Sequence, residues 1–230
     1  MPSISITTTG HGTLTRPAER AILRITVQDV GTDNATVASN VISQTAQVKA
    51  LLEPHSIKPQ SGEPAPFAAI THWSMGALNS YSYPRYNQNG QLMTKQYTAS
   101  TSFEAKFSEF QILASVAQEL AAMDSVNLDG ITWRLTDVTR AALAREVRGM
   151  AGRDALARAK DYARAFGKER VDVVEVLEDT KGSSASVYRG HAARSLTKGR
   201  QDPAEGDPGL SFQPEEVEFG AKVTAKFVTE

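Results

Sequence analysis

The chain has 230 residues, no cysteine and a net charge of −1, with 40% hydrophobic and 22% charged residues. Without thiols there are no disulfides, cysteine nucleophiles or cysteine-ligated metals, and the near-zero charge sets up no global field toward nucleic acid or acidic membranes. A chain of this length buries roughly 70% of its unfolded surface and needs no staple, and no 18-residue apolar run offers a membrane-crossing helix.

The opening residues carry neither a basic nor an apolar leader region, so no signal peptide is read and the cytoplasm is the expected location. Ile4, Ile6 and Thr8 alternate with polar residues as a short strand, and Gly10-His11-Gly12 is expected to break it with a turn. Ala21 to Val30 alternates as a second strand. Asp33 is placed to cap a helix running to about Glu53, with Val37, Ala38, Val41, Ile42, Thr45, Val48 and Leu52 on one face. Pro54 stops that helix, because a residue before proline avoids the α region. Residues 55–66 hold three prolines and a glycine and read as a loop.

Phe67 to Tyr81 reads as a strand with a bulge at Gly76, residues 82–91 as a turn carrying Asn89-Gly90, and Leu92 to Phe107 as the returning strand. Ser108-Glu109-Phe110-Gln111 fits a capping box opening the next helix, whose apolar stripe is Phe110, Leu113, Ala114, Ala117, Leu120 and Ala121. Gly130 precedes a short strand, Ile131 to Leu135. Asp137 starts a long helix to about Phe166, closed by Gly167 at the C′ position. Along it Leu143, Val147, Ala151, Ala155, Ala159 and Ala163 stand four residues apart. Such a row drifts around an ideal helix and suits one that crosses a sheet obliquely, its alanines allowing close backbone approach. Val171 to Leu177 is a nearly continuous apolar strand, residues 180–213 read as a mobile loop, and Val217 to Val228 alternates as the last strand.

The order β-β-α-β-β-α-β-α-β-β predicts an α+β fold: a mostly antiparallel sheet with helices packed on one face. No linker divides residues 1–230, which are expected to form a single domain with the loop at 180–213.

Several segments resemble one known family. The start, Ile4 to Leu14 with its Gly-His-Gly, resembles the opening strand of SIMPL-domain proteins, and Pro17, Ala18 and Ala21 resemble its second. Tyr83-Pro84-Arg85-Tyr86 with Asn89-Gly90 is similar to its hairpin tip, and Tyr97-Thr-Ala-Ser100 to the strand after it. Leu128 to Asp137 followed by the alanine-rich helix is the fullest match, and Pro214 with Glu216-Val217 also fits. The family includes bacterial periplasmic, immunogenic and oxidative-stress-related proteins and a eukaryotic kinase-binding adaptor. Bacterial members usually carry a signal peptide, which is not read here, and the family supplies no agreed catalytic set to map. The resemblance implies a homo-oligomer and a role in stress or signalling.

Chemistry-bearing residues are sparse. His11, His55, His72 and His191 are the only histidines, and none is spaced with another as metal ligands would be. Gly10-His11-Gly12 leads to a strand, whereas a phosphate loop opens a helix. No Gly-x-Ser-x-Gly elbow occurs. The long helix carries seven basic and four acidic residues between Asp137 and Arg164 with no row of aromatics for base stacking, which reads as an ion-paired solvated face, so no nucleic-acid partner is expected. The hairpin offers the best surface for recognition: Trp73, Tyr81, Tyr83, Arg85 and Tyr86 combine aromatics with arginine, as interfaces do. The alternative is that Trp73 and Tyr81 form cross-strand pairs on the sheet. The expectation is a non-enzymatic binding and assembly module without cofactor or metal, self-associating or engaging a partner protein. The alternatives are a small-molecule binder or an enzyme with a pocket between sheet and helices, and a kinase-binding adaptor.

Overall fold

The protein is described from a computed structural model, over residues 3–56, 68–87, 90–91, 93–178, 185–187 and 212–230. Most of the expected loop at 180–213, the Asn89 half of the Asn-Gly turn, and His191 lie outside those residues. The described residues form an α+β structure with antiparallel pairing and the expected order of strands and helices. Two compact units share the elements, and the strands divide into two sheets.

The first unit holds β1 (Ser5–Pro17), α3 (Asp137–Ala165), β7 (Asp172–Glu178), β8 (Ala185–Val187) and β9 (Glu216–Val228). Its sheet runs β1-β9-β7, and β8 pairs with β9 beside β7. β1 and β9 match without a shift from Ser5↔Val228 to Pro17↔Glu216. The expected break at Gly10-His11-Gly12 is therefore overturned: β1 runs straight through it. The glycines serve packing instead of turning. A Cβ on Gly10 would stand 2.0 Å from the Ala151 carbonyl oxygen, and one on Gly12 would stand 2.2 Å from that of Val147. Both atoms belong to the backbone of α3, so only glycine lets the helix lie this close to the strand.

The helix meets the strand with the row read from sequence. Leu143, Val147, Ala151, Ala155, Ala159 and Ala163 are the buried residues of α3, and Ala155, Ala159 and Ala163 pack with Ile6, Ala225 and Phe227. Thr8 Oγ1 donates to the Ala155 carbonyl at 2.8 Å, satisfying a buried hydroxyl. Asp137 is the first residue of α3, as read, and the cap before it is Thr136: the Thr139 N–H donates to Thr136 Oγ1. Glu19 reinforces it, accepting the Thr136 N–H and the Thr139 hydroxyl at 2.7 Å each, a carboxylate at the positive end of a helix. At the other end Gly167 takes φ +71°, the Lys168 N–H reaches the Ala163 carbonyl, and the Gly167 N–H reaches that of Arg164. This pair of hydrogen bonds is the Schellman closure that the C′ glycine implied.

The second unit holds β2 (Arg20–Gly31), α1 (Asn34–Leu52), β3 (Ile70–Met75), β4 (Asn79–Tyr83), β5 (Gln96–Phe107), α2 (Phe110–Ala121) and β6 (Val126–Arg134) as far as Thr132. Its sheet runs β3-β5-β2-β6, and β4 also pairs with β5. Leu23, Ile25, Val27, Phe103 and Phe107 are buried in it with Val41, Val48 and Leu52 of α1 and Leu113 and Leu120 of α2. Asp33 caps α1 as expected, accepting the Thr36 N–H at 2.8 Å.

Four local expectations are corrected here. Ile42 does not join the buried face of α1 but is 59% exposed. The strand read over 67–81 is two strands, because residues 76–78 leave the ladder where the Gly76 N–H bonds the Ser102 carbonyl. The capping box at Ser108 does not form: the cap residue is Glu109, without a side-chain bond, and Ser108 Oγ donates to the Ala68 carbonyl at 2.9 Å. Gly130 lies inside β6 at φ +145°, open to glycine alone, so that strand is longer than read.

Candidate functional site

The five residues read as a recognition surface are divided by the structure. Trp73, on β3, is half-buried, its ring centroid 6.3 Å from that of Phe103 and its Nε1 donating to Ser56 Oγ at 3.1 Å. A ring placed in this way braces the sheet. Tyr81 and Tyr83 point the other way in effect: every residue of β4 is exposed, and the two rings stack on each other with centroids 6.4 Å apart. They do so because residues two apart on a strand share a face. Tyr86 is 62% exposed, and Arg85 is exposed beside it.

Among the described residues β4 pairs with a strand along one edge only, and its Ser80 Oγ donates to Asn34 Oδ1 of α1 at 3.3 Å. Its register with β5 runs from Asn79↔Ser100 to Tyr83↔Gln96, and no strand pairs its other edge among the described residues. β4 reads Asn-Ser-Tyr-Ser-Tyr and carries no charge. Apolar residues flank it at both ends. Leu78 immediately precedes it, and Met75, Leu78 and Ile42 line an open groove of about 290 Å³ against α1. Met93, exposed, donates its N–H to the Arg85 carbonyl just past the strand. Sequence reading missed Ile42, Met75 and Leu78. Ile42 carries the same apolar signal as its buried neighbours, and only the placement of β3 and β4 separates them.

Other candidate chemistry does not converge. Among the described residues no group of three or more His, Asp or Glu side chains is placed to hold a metal ion. His11 and His72 are exposed and His55 is half-buried. The His11 backbone N–H donates to Asp154 Oδ2 at 2.9 Å, and this bond, followed by that from Arg158, holds the Asp154 carboxyl below its ordinary pKa. Four of the six arginines of α3 sit in ion pairs: Arg140 with Asp137 at 3.4 Å, Arg158 with Asp154 at 3.1 Å, Arg148 with Glu178 at 3.8 Å and Arg164 with Asp161 at 3.8 Å. Two further open grooves, of about 360 and 390 Å³, have charged rims formed by Arg140, Arg148 and Glu178 and by Arg24, Glu104 and Asp129. Among the described residues no helix is long and apolar enough to cross a membrane.

No curated protein matches the chain. Residues 6–227 match the family described as SIMPL, protein of unknown function (DUF541), which takes in both sheets, all three helices and the hairpin. The glycines under α3, its alanine row and the paired strands fall within the matched residues, and this chain belongs to the SIMPL family.

Proposed function

We propose that the chain is a non-catalytic binding and assembly module that self-associates by pairing β4 with β4 of a second copy. One observation carries the reading: an uncharged strand, exposed at every residue and, among the described residues, unpaired on one edge, bears two stacked tyrosines. Such an edge templates strand addition unless charge, proline or a covering element blocks it, and β4 itself contains neither charge nor proline.

A symmetric dimer needs a surface that complements itself. Antiparallel pairing centred on Tyr81 places Tyr81 opposite its own copy, Ser80 opposite Ser82 and Asn79 opposite Tyr83. No like charges meet, and aromatic cross-strand pairs of this kind stabilise a sheet by up to about 1 kcal/mol each. The three tyrosines, 42% to 62% exposed, supply only about 300 Å² per copy. A standard interface buries roughly 800 Å² on each side. Ile42, Met75, Leu78 and Met93 therefore belong to the same contact, and the thioethers suit it because they adapt in shape.

Light scattering after size exclusion tests this. Wild type is expected to elute as a dimer or larger, and Tyr81→Ala/Tyr83→Ala as a folded monomer. A wild type that stays monomeric at high concentration overturns the proposal.

A further inference from the structure

The first unit has an open sheet edge of different character. β7 reads Asp172-Val-Val-Glu-Val-Leu-Glu178 and is exposed at every position. Val173, Val174, Val176 and Leu177 are 56% to 58% exposed, high for four apolar residues in one ordered strand. β9 pairs one edge of β7, and the other has no strand partner among the described residues. The side chains divide between two faces. Val173 and Val176 stand opposite Phe227 and Ala225, on the face that α3 covers further in, whereas Glu175 stands opposite Lys226.

Charge decides what can lie along this edge. β7 has three carboxylates and no basic residue. Antiparallel self-pairing centred on Glu175 would set Glu175 against Glu175 and Asp172 against Glu178, and like charges directly opposite are destabilising. A second copy is therefore disfavoured here, in contrast to β4. Glu178 meets Arg148 at 3.8 Å, but neither Asp172 nor Glu175 has an ion-pair partner among the described residues. The strand already accepted on the inner edge shows the complementary pattern: β9 brings Lys222-Val-Thr-Ala-Lys226-Phe-Val228, two lysines four residues apart with apolar residues between.

We infer that the outer edge of β7 is a docking site for an extended, lysine- or arginine-bearing segment of a partner protein, added as a further strand. Main-chain hydrogen bonds supply attachment and the alternate side chains select the partner. Val173 and Val176 take its apolar residues, and Glu175 with Asp172 takes its cations. The site lies on other residues than the β4 surface and does not depend on self-association.

The test uses the full chain and a free peptide copying residues 222–228, Lys-Val-Thr-Ala-Lys-Phe-Val, beside the same peptide with both lysines changed to glutamate. Fluorescence anisotropy at low salt is expected to show the lysine peptide binding roughly tenfold more tightly than the glutamate peptide. High salt should narrow the gap. Asp172→Lys/Glu175→Lys should reverse the preference, and both substitutions fall on exposed positions. Hydrogen exchange should slow at residues 172–178 when the lysine peptide is added. Equal binding of both peptides, a preference unchanged in the double variant, or protection elsewhere overturns the inference. So does slow exchange at 172–178 in the free protein, which would mean that the edge is already covered.

Discussion

Replacing Gly10 with alanine sets a methyl group against the backbone of α3. Its Cβ would stand 2.0 Å from the Ala151 carbonyl oxygen and 2.4 Å from the Ala155 amide nitrogen, where ordinary contact begins near 3.4 Å. Neither side yields easily. One is a hydrogen-bonded strand paired at Gly10↔Val223, the other a helix anchored by Thr8 at that same Ala155. Relief requires the helix to lift by about 1 Å, and a gap of that size forfeits about a quarter to a half of the dispersion in the contact. Overpacking a core costs ~1–3 kcal/mol, and rigid backbone on both sides places this site at the upper end. At ~3 kcal/mol the thermal midpoint of a chain this long falls by roughly 6–12 °C. Urea and thermal unfolding followed by circular dichroism measure it. A Gly10→Ala protein within about 0.5 kcal/mol of wild type would refute the packing argument.

The same substitution should change sign on α3 itself. Gly152 lies in α3 with open space for 4 Å around the place a Cβ would take, so Gly152→Ala is expected to stabilise by about 0.5–1 kcal/mol in the same unfolding assay. Ser108→Ala should destabilise by ~1 kcal/mol through its bonds to the Ala68 and Ala69 carbonyls, while Gln111→Ala, which a capping box would make costly, should change little in urea unfolding. Asp154 has its pKa lowered in the folded state by the His11 N–H and Arg158. Its contribution is therefore present above the unfolded value of about 3.9 and is lost as pH falls through the lower folded value. The stability difference between wild type and Asp154→Asn should follow that course in a pH series of urea melts.

What the residues disclosed beforehand divides by range. The alanine row of α3, the Asp33 cap, the Gly167 closure and the alternation of β5 and β9 all depend on neighbours within a turn or a strand, and each has a local pattern. Gly10 and Gly12 had the composition of a turn, yet their reason lies about 140 residues away in the backbone of α3. Ser108 matched a capping motif but had a distant carbonyl to satisfy. The candidate surface shows the same limit: five aromatic and basic residues were legible as a group, but only Phe103 and Ser56 reveal that Trp73 turns inward. The apolar run of β7 read only as a strand, because periodicity cannot register that a strand ends up at an edge.

Self-association through β4 is tested most directly by opposed charges at one position. Tyr81 sits at the centre of the proposed pairing and is 56% exposed, so Tyr81→Glu and Tyr81→Lys should each fold. Each variant alone sets like charges opposite one another and should scatter light as a monomer, while their equimolar mixture should recover the wild-type mass. Variants that assemble as well separately as wild type, or a mixture that stays monomeric while wild type assembles, would contradict it.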